Sequence, residues 1–138
     1  MLRRTFVALV LCAIVAVPSV AFAGSYLNSA ALLLDTSRAE RDMVSPRSRD
    51  LELLRLVYEI ARARTDVART MNVPKEVGNA HPHLLLVLEN SERAYLAALK
   101  GNFAKFVDHI SRARAEERTF RAIISKLGYT LPKTTTQP

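Results

Sequence analysis

The sequence predicts an all-α protein, an antiparallel up-down-up-down four-helix bundle preceded by a cleaved signal peptide. Two observations lead to this prediction. After residue 23, proline and glycine fall between the apolar segments and interrupt none of them. Within each segment the apolar residues recur at the 3.6-residue period of a helix. Short connections make successive helices antiparallel. The predicted helices cover about residues 26–44, 47–72, 82–100 and 102–127.

The first 23 residues have the pattern of a cleavable export signal. Arg3 and Arg4 precede an apolar run over residues 6–17, and residues 21–23 (Ala-Phe-Ala) offer the small residues that a signal peptidase needs. The run is shorter than the roughly 20 residues of a membrane span. We therefore expect a periplasmic or secreted protein without a stable span in its mature chain. The Arg3-Arg4 pair leaves both the general secretory route and the twin-arginine route open.

Residues with known terminal preferences set the predicted helix boundaries. Pro46 and Pro82 stand at first helical positions, where the missing N–H of proline costs no hydrogen bond. Asn102 is expected to cap the fourth helix, and Gly128 to end it. Beyond the last helix, residues 130–138 are rich in threonine and proline and are predicted to be a disordered tail.

Charge and cysteine content limit the classes of function. The formal net charge is +7, from 20 Lys and Arg against 13 Asp and Glu. Loss of Arg3 and Arg4 with the signal leaves 18 − 13 = +5, which favours an anionic partner. Cys12, the one cysteine, leaves as well, so disulfides and thiolate chemistry are excluded from the bundle predicted over residues 24–129. Nucleic acid is not expected as a partner outside the cytoplasm.

Each of the last three predicted helices has one apolar face, and the predicted core positions of the second and fourth helices include Ile60, Val67 and Val107.

The first predicted helix, in contrast, has two apolar faces. A helix on a globular core buries one face, so the second face of helix one is expected to meet a protein partner or the mate of a homodimer. The two faces carry, respectively, Leu27, Ala31 and Leu34, and Leu32, Leu33, Ala39 and Met43.

Four charged residues, Arg64, Glu92, Arg114 and Glu117, lie within the apolar arcs of the predicted helices. Antiparallel packing brings all four near the middle of the bundle, where Arg64 is expected to contact Glu92. Isolated buried charges are costly, so these side chains must pair, reach water or lie outside the core. Two interpretations stay open, a polar layer that fixes helix register and a small charged pocket that binds a ligand.

The three histidines are His81, His83 and His109. His81 points toward the apolar stripe of the third helix, and Glu117 lies near its level, so these two residues are the candidates for metal ligands. A protein metal site needs three or four ligands in compatible geometry. The pattern offers no third ligand, and we therefore expect no metal and no cofactor.

The predicted architecture resembles the exported haem-binding four-helix bundles of the cytochrome b type, over the third and fourth helices. That family ligates haem with a methionine in the first helix and a histidine late in the last. Here Met43 lies at the far end of helix one, and Phe120 occupies the late core position. The resemblance therefore implies the bundle fold and does not imply haem binding.

The sequence has no pattern typical of a catalytic site. It contains no Gly-x-Ser-x-Gly and no Gly-rich phosphate loop. The function we expect is that of a small exported, non-catalytic protein that binds a partner as an adaptor or as part of the envelope. Its partner would be a protein or an anionic envelope component. The alternative is a periplasmic carrier of a small ligand or metal that uses the charged layer or His81.

Overall fold

The computed structural model describes residues 19–134, with side chains from Ala23 onward, and confirms the prediction of an all-α helical bundle. This part of the chain contains no strand, and none of its helices is long and apolar enough to cross a membrane. Two 3-10 turns, Ser45–Arg47 and Lys75–Val77, stand in the connections before the second and third helices. The α-helices are α1 (Ser19–Val44), α2 (Leu51–Arg69), α3 (His81–Leu99) and α4 (Phe103–Lys126).

Helix α3 lies at the centre of the bundle. It packs along α4 and along α2, and α1 contacts both α3 and α2. Near the start of α3, His83 bonds Glu116, and farther along Asn90 bonds His109, so α3 and α4 run in opposite directions. A helix with neighbours on several sides buries several sides. The buried residues of α3 are Leu84, Val87, Leu88, Asn90, Ser91, Ala94, Tyr95, Ala97 and Ala98.

Two apolar clusters fill the core, one toward each end of the bundle. The first surrounds Leu84 and Phe120 and takes in the early part of α1. The second surrounds Tyr95 and takes in the early parts of α2 and α4. The buried polar side chains lie between the clusters, and this set is called the polar layer below. Its members are Ser37, Glu40, Arg41, Thr65, Asn90, Ser91 and Glu117.

The structure decides which apolar face of α1 enters the core. Leu27, Ala31 and Leu34 are buried, whereas Leu32 and Met43 are exposed. Ser37 and Arg41 continue this buried face about one and two turns after Leu34, so they also lie inside the bundle. Together with Glu40, these polar residues are the contribution of α1 to the polar layer.

Two helices differ from their predicted starts. α1 is already helical at Ser19, the first described residue, whereas the prediction starts it at about residue 26. α2 begins at Leu51 and not at residue 47, because the Asp50 carboxylate accepts the Leu53 N–H at 3.1 Å and so caps the helix there. Pro46 belongs to the preceding 3-10 turn. Residues 1–18 of the predicted signal peptide lie outside the described residues.

The predicted ends of α4 are confirmed. The Asn102 side chain accepts the Lys105 N–H at 3.1 Å at the start of the helix. At the other end, Gly128 has a φ of +83°, which side-chain-bearing residues rarely adopt. This conformation lets the Tyr129 N–H reach the Ile124 carbonyl at 3.1 Å and close a Schellman motif.

The first part of the predicted tail lies against the bundle. Leu131 packs on the first apolar cluster, and the Thr134 hydroxyl donates a hydrogen bond to the Asp35 carboxylate of α1. The chain after α4 thus follows the α1 side of the molecule. Residues 135–138 lie outside the described residues.

Three predicted core residues, Ile60, Val67 and Val107, are exposed. In α2 the apolar arc is wider than the surface that its neighbours cover, so part of the arc remains outside. The residues that α2 does bury are Leu54, Val57, Ala61, Thr65 and Ala68.

We expect the variant Phe120→Ala to lower the free energy of unfolding by about 3–5 kcal/mol, because Phe120 is fully buried in the first cluster and truncation leaves a cavity. The control Val107→Ala, on the exposed side of the same helix, should stay within about 0.5 kcal/mol of wild type. Urea unfolding followed by circular dichroism measures both. Equal losses would contradict this description of the core.

Candidate functional site

The polar layer is organised by Arg41, which is 1% exposed. Its Nη2 atom donates to Glu117 Oε2 at 2.8 Å, an ion pair from α1 to α4. Its Nη1 atom donates to the hydroxyls of Ser37 at 2.8 Å and Ser91 at 3.1 Å. Burial lowers the pKa of this guanidinium, and the Glu117 charge acts in the opposite direction. Arg41 therefore ties α1 to both α3 and α4.

Glu117 binds three arginines at once. Besides Arg41, it accepts hydrogen bonds from Arg38 on α1 and from Arg121 on α4, the latter at 2.9 Å. Burial alone would raise the pKa of this carboxyl group, but the hydrogen bonds from Arg38 and Arg121 outweigh it, and the pKa lies below its ordinary value. Glu117 is therefore an anion at neutral pH, with both oxygens occupied.

Two further ion pairs join α1 and α4 on either side of Glu117. Arg121 donates to Asp35 Oδ1 at 3.0 Å, and Arg114 lies 3.5 Å from Asp42 Oδ1. The earlier residue of α1 pairs with the later residue of α4, so the two helices run antiparallel. Both pairs are partly or largely exposed and contribute little stability by themselves. They show that the seam between α1 and α4 is charged along its length.

A groove of about 310 Å³ opens along this seam. Five arginines and two acidic residues line it, which gives a local formal charge of 5 − 2 = +3. The guanidinium of arginine is planar and carries five N–H donors, so an arginine that holds a carboxylate on one edge can present the other edge to a second anion. The lining residues are Arg38, Arg41, Asp42, Arg114, Glu117, Arg118 and Arg121.

Two larger depressions adjoin this arginine groove. One, of about 590 Å³, lies between α1 and the segment after α4 and brings Lys133 beside Arg38 and Arg121. The other, of about 480 Å³, has Arg114 and Arg118 at one end and the apolar residues Phe106, Val107 and Ile110 at the other. The basic character thus extends beyond the groove itself.

The structure separates the four charged residues that the sequence analysis groups together. Glu117 is buried in the polar layer. Arg64 does not contact Glu92 as predicted; it forms a two-point pair with Glu40 of α1, with N···O distances of 3.0 and 3.2 Å. Glu92 is half-buried, and Arg114 is exposed on the groove. Only Glu117 and Arg114 therefore line the same site.

The two metal candidates, His81 and Glu117, have different partners. His81 Nδ1 lies 3.0 Å from the Tyr26 hydroxyl. Burial lowers the pKa of His81 and raises that of Tyr26, so a neutral imidazole and a protonated phenol share this hydrogen bond. Glu117 is held by arginines. Within residues 19–134, no group of three or more His, Cys, Asp or Glu side chains is arranged to hold a metal ion.

Sequence reasoning missed Arg38, Arg41 and Arg121. A signal for Arg41 was present, because it lies seven residues after Leu34 and so continues the buried face of α1. The face turns polar where Ser37 and Arg41 replace leucine and alanine. Nothing in the sequence indicates that Arg38 and Arg121 reach Glu117, since that contact depends on the distance between α1 and α4.

No family model, curated protein or solved structure matches this chain. The assignment of a function therefore depends on the geometry of the chain itself.

We expect Glu117→Gln to lower the free energy of unfolding at pH 7 by about 3 kcal/mol or more, because Arg41 then stays buried without a counter-charge. The difference from wild type should shrink in acid. A carboxyl group with a lowered folded-state pKa stabilises the fold above its ordinary pKa of 4.5, and this stabilisation is lost as the pH falls through the lower value. Urea unfolding over a pH series measures this.

The control is Glu116→Gln, the neighbouring residue, which bonds His83 at the half-exposed edge of the bundle. It should cost less than about 1 kcal/mol. A loss for Glu117→Gln that is no greater than the control, or that does not change with pH, would contradict the central place given to Glu117.

Proposed function

We propose that the chain is a small exported binding protein whose arginine groove, between α1 and α4, takes an anionic group of an envelope component. The observation that carries this proposal is the lining of the groove, in which five arginines meet two acidic residues. Arg38, Arg41 and Arg121 share the single negative charge of Glu117, which cannot neutralise all five arginines of the groove. A phosphate, sulfate or carboxylate group of a ligand would supply the missing negative charge.

The groove is partly prepared for an anion before one arrives. Arg41 and Arg121 are fixed by Glu117 at 2.8 and 2.9 Å. Side chains held in place lose less rotamer entropy when they bind. Arg114 and Arg118 are more exposed, and they stand where an incoming anion meets them first. Because some arginines are held in place and others are exposed, the groove favours binding of one localised anionic group over nonspecific electrostatic attraction.

We infer binding and not catalysis from the same residues. A general base needs a pKa near the working pH and a free lone pair. Glu117, the buried acid of the groove, has a lowered pKa and three arginine partners. Its chemistry is therefore that of a counter-ion.

Export is proposed from the N-terminal pattern, and the location of the core is compatible with cleavage after Ala23. The buried residues that follow the proposed cut begin with Tyr26, Leu27 and Ala30. The proposed mature protein is a basic, periplasmic or secreted bundle.

We expect the protein recovered from the cell envelope or medium to begin at Gly24, because the small-residue site ends at Ala23. Intact-mass spectrometry of the purified protein measures this. A chain that retains Met1, or one recovered from the cytoplasm alone, would contradict export.

We expect the double variant Arg114→Gln/Arg118→Gln to weaken binding to vesicles that contain phosphatidylglycerol. Each arginine near an anionic lipid surface contributes about 1 kcal/mol, so two give roughly a thirtyfold loss. Both side chains are exposed, so the fold should persist. Co-sedimentation with vesicles measures the affinity, and neutral phosphatidylcholine vesicles give the background.

The matched control is Arg55→Gln/Arg62→Gln, which removes the same charge from exposed positions on α2, outside the groove. It should keep most of the affinity. Equal losses for the two double variants would mean that net charge and not the groove drives binding, which would contradict the proposal.

The alternative, a carrier of a small anion, is favoured by the modest size of the groove, about 310 Å³. Calorimetric titration with pyrophosphate separates the two. The carrier is supported if the protein binds pyrophosphate but not vesicles, and if the Arg114→Gln/Arg118→Gln variant no longer binds pyrophosphate. Binding to vesicles without binding to pyrophosphate supports the envelope component.

A further inference from the structure

Helix α2 has an apolar face that no other part of the described chain covers. Leu56, Ile60 and Val67 are 60%, 43% and 55% exposed, and Ala63 is exposed between them. These four residues, called the α2 face, follow one another at spacings of four, three and four. They lie along one line of the helix, apart from the residues that α2 buries in the core.

The spacing of the α2 face indicates what kind of structure fits it. Together with the half-buried Leu53, the residues fall on the a and d positions of a heptad. This period suits a second helix that packs alongside at a shallow angle, with its side chains inserted between those of α2. An extended segment or an irregular loop has no matching repeat.

A row of acidic residues follows one edge of the α2 face. Glu52, Glu59 and Asp66 recur every seven residues, each just before an a position, and all three are exposed; Asp66 also pairs with Arg69 at 3.0 Å, so Glu52 and Glu59 are the main charges of this row. In a coiled coil these are g positions, whose charges meet those on the facing helix and set partner choice. Lysine or arginine residues on the facing helix would therefore pair with this acidic row.

The other edge of the α2 face meets α1. Arg64 lies one turn after Ile60 and pairs with Glu40 of α1. On α1, the exposed residues Leu32 and Met43 lie about 60–80° around the helix from Glu40. Both α1 and α2 thus carry exposed apolar side chains, and the Glu40–Arg64 pair joins the two helices.

We propose that the α2 face is a docking surface for a helix of another protein, one with an apolar seam and a row of lysine or arginine beside it. The heptad spacing selects a helix, and the acidic row selects basic residues. This proposal does not rest on the arginine groove, which lies between α1 and α4.

A second copy of this chain fits poorly. In an antiparallel pair of α2 helices, the two acidic rows would face each other. In a parallel pair, each acidic row would face the partner's e positions, which are Val57, Arg64 and Met71. Val57 is buried in the core, and Arg64 is engaged by Glu40. Neither arrangement of two α2 helices therefore places available basic residues opposite the acidic row.

The test uses two synthetic peptides of about three heptads with leucine at a and d. One carries lysine at e and g, and its control carries glutamate there. Repulsion between like charges keeps each peptide from pairing with itself. Fluorescence anisotropy of the labelled peptides with the mature protein, at physiological ionic strength, measures the affinities. We expect the lysine peptide to bind about tenfold or more tightly than the glutamate peptide.

Two variants assign the binding to the α2 face. Leu56→Gln/Ile60→Gln should weaken the lysine peptide by about tenfold or more, because two exposed apolar contacts are lost. Glu52→Lys/Glu59→Lys should reverse the preference between the peptides. The control Val107→Gln, equally exposed but on α4, should bind like wild type. Circular dichroism checks that each variant folds.

Several results would overturn the proposal. They are equal affinity for the two peptides, no binding of either, and unchanged affinity in the Leu56→Gln/Ile60→Gln variant. Light scattering adds another. A wild-type dimer that this variant converts to a monomer would make a second copy the occupant.

Discussion

The ion pair between Arg41 and Glu117 is the interaction on which the rest of the structure depends. Both side chains are buried, at 1% and 4% exposure, and neither charge could remain inside without the other. Because Arg41 also bonds Ser37 and Ser91, the pair joins α1, α3 and α4 at one level. The two apolar clusters lie on either side of this level, so the pair sets the register in which they form.

The same pair links the interior of the bundle to its surface. Glu117 is buried, but Arg38 and Arg121, which also bind it, line the groove. The carboxylate thus fixes in place the arginines that an anionic partner would meet. A polar layer that sets helix register and a charged site that faces a ligand are therefore compatible interpretations of one cluster, in which Glu117 serves the fold and the outer edges of the arginines remain for binding.

Helix α1 borders both of the surfaces to which we assign a role. Its Arg38 side faces α4 and the arginine groove, and its Glu40 side faces α2 and the acidic, apolar docking surface. The two surfaces have opposite charge, so they would select different partners. The bundle, with the export and the two partners that we propose, would then join an anionic envelope component to a basic helix, which is the behaviour of an adaptor.

The sequence by itself determined the helices and several of their ends, because apolar periodicity and caps such as Asn102 and Gly128 act locally. It also indicated a charged layer at the level of Glu117. Tertiary structure alone decided that Arg64 pairs with Glu40 and not Glu92, and that Ile60 and Val67 stay outside. A helical repeat gives the direction of each side chain about its own axis. Which directions meet a neighbour depends on how the helices are rotated and spaced, and only their packing together determines that.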